Sequence, residues 1–176
     1  MPKSTGASDY EAKVSYETNR IAQLLKQTGP APFGDPLSGV VIVVESTAGT
    51  KSDADAANAR LVDALRRSLA AIKLDRAYVT WPGPNLLEEI LSVEPAALVA
   101  IGSATHAIDS SGYPLVRTPF SEASEGSWFA WTKSTSGLKL PALAPALRDT
   151  EAKRQFWGAF LNLRALGPEG RFNLHP

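Results

Sequence analysis

Several groups in this chain have the types and spacing to do chemistry. The first is Glu45-Ser46-Thr47-Ala48-Gly49-Thr50-Lys51-Ser52, directly behind the apolar run Val40-Val41-Ile42-Val43-Val44. A loop between a buried strand and a helix offers backbone amides to an anion. A phosphate-cradling P-loop, however, needs glycine where Glu45 and Thr50 stand, so that the backbone can approach the phosphates. The stretch therefore reads as a capped strand-to-helix turn that carries one acid, Glu45. His106 lies behind another apolar run, Ala97–Ile101, where α/β sites usually sit. Asp109 is the one carboxylate spaced to orient it, and a lone histidine is more often a loop hydrogen-bonder. Trp81, Trp128, Trp131 and Trp157 raise the idea of a base-stacking platform, but only Lys133 interleaves with the first three. Packing is their expected role.

With no cysteine, thiolate metal sites, iron–sulfur clusters and disulfides are excluded, and only His106 and His175 remain as imidazole ligands. No metal and no cofactor is predicted. Eighteen basic residues against eighteen acidic ones argue against strong nonspecific DNA binding while leaving room for a local basic patch. Contact with DNA is expected to be weak or indirect.

These residues need elements to position them. Val40–Val44 is a continuous β-branched run, the mark of a strand buried on both faces in a parallel sheet. Ser52 is expected to cap a helix whose face is Leu61, Leu65, Leu69 and Ile72. Ala77–Trp81 reads as a second strand, stopped by Pro82-Gly83-Pro84. Asn85 and Glu88 suggest a capping box for a short helix with Leu86, Leu87, Ile90 and Leu91, ending before Pro95. Ala97–Ile101 is a third strand. From Thr105 to Gly126 the residues favour loop with one helical turn, Trp128–Lys133 a strand, and Leu138–Leu140 another. Asp149 is expected to cap a final helix with Ala152, Phe156, Ala159, Phe160, Leu163 and Leu166 on its inner face. Strand, helix, strand, helix, strand predicts an α/β fold, with a mostly parallel sheet between helical layers.

Upstream, residues 1–9 are small and polar, and Glu11–Gln27 has a helical stripe of Tyr10, Val14, Ile21, Leu24 and Leu25. Three prolines and two glycines between Thr28 and Ser38 then form a linker. This divides the chain into an arm at 1–37, a domain at 38–167 and a tail at 168–176. No apolar run is long enough to span a membrane, and Met1–Asp9 lacks the hydrophobic core of a signal peptide. A cytoplasmic protein is expected.

The ending carries a further pattern. Leu140-Pro141-Ala142 is followed by Leu147-Arg148, Lys153-Arg154 and Trp157. It resembles the end of a uracil-DNA glycosylase-like domain, where a strand runs into a His-Pro-Ser or His-Pro-Ala turn, then Leu-Leu-Arg, then a helix with Lys-Arg and Trp. Leu140 stands in place of the histidine. At the first motif, Glu45 would imitate the acidic residue of Gly-Glu-x-Pro-Gly, but its flanking glycine and proline are replaced. The resemblance implies a three-layer α/β/α domain whose pocket, around Glu45, Ser46, Leu140 and Pro141, is degenerate. It is similar above all to the non-catalytic psi subunit of the DNA polymerase III clamp loader. That likeness implies an adaptor between clamp-loader subunits and a chi-like subunit or single-stranded-DNA-binding protein, with Tyr10, Val14, Ile21, Leu24 and Leu25 as partner-binding residues. The alternative is a divergent glycosylase that uses Glu45.

Overall fold

The computed structural model describes residues 5–24, 31–45 and 51–166. Five strands, β1 (Val40–Val43), β2 (Tyr78–Thr80), β3 (Ala97–Ile101), β4 (Trp128–Ala130) and β5 (Ser136–Leu140), form one sheet in the order β2-β1-β3-β5-β4. β1 lies parallel to β2 and β3, and β3 parallel to β5, so that β4 alone runs antiparallel at one edge. The helices are α1 (Thr5–Leu24), α2 (Lys51–Ala71), α3 (Leu86–Val93), α4 (Ala104–Ser110), α5 (Leu143–Ala146) and α6 (Thr150–Phe160), which continues as a 3-10 turn over Leu161–Ala165.

Strand residues alternate between the two faces, and each face has its own helices. Val40, Ile42 and Val44 pack with Leu61, Leu65 and Leu69 of α2 and with Phe156 and Phe160 of α6. Val41 and Val43 pack on the other side with Leu86 and Ile90 of α3, Ile108 of α4, and Phe120. Both faces of β1 are therefore sealed, which is why its sequence is continuously apolar rather than alternating. Burying each such side chain contributes about 1.5–3 kcal/mol. The fold is α/β with a mostly parallel five-stranded sheet, and no helix among the described residues is long and apolar enough to cross a membrane.

Local readings differ from the structure at definite places. α1 begins at Thr5, so part of the polar start is helical. α2 begins at Lys51, which puts Ser52 inside the first turn rather than at the cap. Asn85 is the N-cap of α3 without a side-chain capping bond. The Thr105–Gly126 stretch holds two-turn α4 and a 3-10 turn at Phe120–Glu122. Asp109 stabilises this stretch by accepting the Phe120 and Ser121 amides, both at 2.8 Å. Asp149 does cap α6, accepting from the Ala152 amide at 3.0 Å.

The segment at 31–35, placed in the linker by its prolines and glycines, belongs to the body. Phe33 forms an antiparallel bridge with Val79 of β2, through amide-to-carbonyl bonds of 3.0 and 2.8 Å. Gly34, at φ +95°, lies against the Ala77 carbonyl, and a side chain there would overlap that oxygen.

Candidate functional site

The chain winds from β1 to β2 on one side and then crosses to β3 on the other. The loops leaving β1 and β3 therefore diverge, and the C-terminal ends of these strands border the crevice where open α/β sheets bind ligands. Glu45 stands there, two residues beyond β1, with only 8% of its surface exposed. Its Oε1 accepts the Leu143 amide at 2.8 Å and the Ala144 amide at 2.9 Å. These are among the first amides of α5, which have no acceptor inside the helix. Gly102, at the end of β3 with φ +57°, gives the carboxylate its room, because a methyl there would overlap Glu45 Oε2 and come within 3.1 Å of Ala142 Cα. The Gly102 amide donates in turn to Leu140 O at 3.0 Å.

Glu45 thus ties the end of β1 to the turn behind β5 across the end of β3. Leu140 enters the core with Phe156 and Phe160 instead of lining the crevice. Pro141 is half-buried at the start of the turn. The structure brings Glu45 to the turn that follows Pro141, while Ser46 lies outside the described residues. Residues 142–144, whose backbone meets the acid, carry no local signal in the sequence.

A second buried acid was missed by sequence reasoning. Glu89 of α3 is 1% exposed and faces the sheet, where Oε1 accepts from the Tyr78 hydroxyl at 2.7 Å and Oε2 has no hydrogen-bond partner. Burial raises its pKa above the ordinary 4.5, and the Thr80 and Tyr78 hydroxyls offset this only in part. Burial, with the Glu89 carboxyl beside it, also raises the Tyr78 pKa, so this phenol remains a donor. The available signal was spacing, because Leu86, Glu89, Ile90 and Val93 fall on one face of the helix.

The arm residues are placed against the domain. α1 packs on α3, and the Tyr10 hydroxyl donates to Asp35 Oδ2 while Arg76 Nη2 contacts both. Burial disfavours the Asp35 charge, but hydrogen bonds from Tyr10, Arg76 and the Leu37 amide outweigh it and hold the carboxyl below its usual range. Val14 is half-buried, Ile21 and Leu24 lie in the last turns of α1, and Leu25 is outside the described residues.

The other candidates are not assembled. His106 Nε2 is 3.4 Å from Ser110 Oγ, and Asp109 is engaged with the loop amides rather than with the imidazole. Trp81 and Trp131 are buried in clusters on opposite faces of the sheet. Trp128 donates its indole N–H to Asn162 O at 3.0 Å. Of the four, Trp157 is the most exposed, Trp128 being half-buried.

Fold and site together define an α/β domain whose switch-point carboxylate is tied to backbone amides. No family model matches the chain, and no curated protein matches it.

Proposed function

We propose that the protein is a non-catalytic domain of uracil-DNA glycosylase-like architecture, working as a psi-like adaptor in DNA replication or repair. The observation that supports this reading is the engagement of Glu45. An acid that positions water against a sugar needs an oxygen turned to the reacting centre, whereas Glu45 Oε1 is held by the Leu143 and Ala144 amides and Oε2 is set against Gly102. At the opposite wall, Leu140 offers no donor to a departing base. In this reading α1 meets its partner around Tyr16, which is 67% exposed and lines a groove with Leu37, while Tyr10 holds the helix to the body.

The test is a tagged pull-down from native extract with mass spectrometry, alongside a uracil-release assay on single-stranded DNA. Clamp-loader subunits, a chi-like subunit or single-stranded-DNA-binding protein are expected with the bait, and no uracil is expected to be released. Uracil release abolished by Glu45→Gln would replace the adaptor with the divergent glycosylase.

A further inference from the structure

The outward side of α6 and its 3-10 extension has a composition unlike the rest of this neutral chain. Lys153, Arg154, Trp157 and Arg164 recur at three-, four- and seven-residue spacings, so they share one face. All four are exposed, and Arg148 adds a further cation just before the Asp149 cap. The two acids at the start of the helix do not neutralise this stripe. Asp149 caps the helix, and Glu151 makes only a long, solvent-exposed contact of 3.4 Å with Arg154. Arg148, Lys153 and Arg164 meet no carboxylate among the described residues.

Trp157 sits in the middle of these cations with 37% of its surface exposed. Its indole lies nearly parallel to the buried Phe160 ring, at 13° and 5.3 Å between centroids. The ring is therefore backed on one side by the core and held flat. Gly158 stands beside it, and a side chain at this position would meet nothing within 4 Å. Packing does not require glycine here, and glycine costs a helix about 1 kcal/mol relative to alanine. The helix is simply open to solvent there, one residue past the indole.

A flat aromatic face with unpaired cations one to two turns away is complementary to a chain that alternates π-faces and phosphates. Lys153 and Arg164 are about 18 Å apart along the axis, at about 1.5 Å per residue through α6 and about 2.0 Å through the 3-10 turn, a reach of about three nucleotides. We propose that this face of α6 binds single-stranded nucleic acid without regard to sequence, one base stacking on Trp157 while Lys153, Arg164 and Arg148 meet phosphates. An acidic protein segment would satisfy the cations but would leave the exposed indole face without a function. The proposal goes beyond the adaptor reading and does not depend on it, because it concerns direct contact with nucleic acid.

Fluorescence anisotropy tests it, with the full chain titrated into labelled oligo-dT and oligo-rU of about 15 nucleotides at about 50 mM salt. Both probes should bind, and log affinity should fall against log salt with a slope of about −2, as expected for three neutralised phosphates on a single strand. Trp157→Ala should weaken binding about tenfold with that slope unchanged. Lys153→Glu with Arg164→Glu should flatten the slope to about −1 or less. Trp157→Phe, which keeps an aromatic face, should retain most of the binding, and an unchanged thermal midpoint in Trp157→Ala shows that loss of fold does not account for its deficit. Failure of the wild-type chain to bind either probe, or undiminished binding by Trp157→Ala, would overturn the proposal. So would equally tight binding of a labelled poly-glutamate peptide, which would make the face a generic cation patch for acidic proteins.

Discussion

Replacing Gly102 with alanine puts a methyl group onto Glu45 Oε2 and within 3.1 Å of Ala142 Cα, at a residue whose φ is +57°. The left-handed backbone costs an alanine about 1 kcal/mol, and overlap in a packed site adds about 1–3 kcal/mol. The single change should therefore cost about 3 kcal/mol. The carboxylate has no inexpensive retreat, because turning away would break its bonds to the Leu143 and Ala144 amides. Glu45→Ala leaves those two amides without their acceptor, also at about 3 kcal/mol. In the double variant the backbone strain persists but the overlap with the carboxylate is gone. The expected total is about 4–5 kcal/mol instead of about 6, a coupling of about 1.5 kcal/mol in the range measured for touching residues. Urea unfolding of the wild type and three variants at constant m measures it. Additivity within about 0.5 kcal/mol would refute the argument that Gly102 is glycine to make room for Glu45.

Glu89 should give the protein a pH-dependent stability of a specific sign. Because its folded pKa is raised, the native state holds a proton that the unfolded chain releases above pH 4.5. Its contribution is complete below that pH and is lost as pH rises toward the folded pKa, with a limiting slope of about 1.4 kcal/mol per pH unit. Glu89→Gln should flatten this part of the stability profile, and an unchanged profile in that variant would remove Glu89 as its cause. Tyr10→Phe deletes the hydroxyl that joins α1 to Asp35 and Arg76. Amide exchange in α1 should quicken while global stability changes by less than about 1 kcal/mol, since Tyr10 itself is exposed and Asp35 keeps the Arg76 and Leu37 donors. Unaltered protection of α1 would show that its packing on α3 holds it without the latch.

Elements whose signals are local were legible in the sequence. The β-branched run of β1, the Leu61-Leu65-Leu69 stripe of α2 and the Asp149 cap each depend on residues within a few positions of one another. α4 was hidden because the serines at its two ends, Ser103, Ser110 and Ser111, and the Gly/Pro-rich stretch behind it resemble loop, and burial of Ala104 and Ile108 under the sheet outweighs those propensities. α5 was hidden because Pro141 and Pro145 suggest a break, although Pro145 sits in the helix's first turn, where proline is tolerated. At the candidate site, Glu45 could be picked out by type and place, but its partners lie 98 and 99 residues away and act through their backbones. No side-chain pattern encodes such a contact. Gly102 was equally visible only as the end of a strand, since the reason for its missing side chain lies in another loop.

The bridge between Phe33 and Val79 has a consequence for how the molecule meets others of its kind. β2 is an outermost strand of only three residues, and an open row of amides and carbonyls there would template pairing with a foreign strand. Phe33 occupies both hydrogen-bonding groups of Val79, and Gly34 follows flush against the Ala77 carbonyl, so the border is sewn shut by the chain's own upstream segment. A fragment begun at residue 38 would keep every strand and lose this hem, and would expose the side of the sheet most open to aggregation. The boundary of the folding unit therefore lies before Phe33, and the short proline-rich passage that looks like a tether serves as the selvage of the sheet.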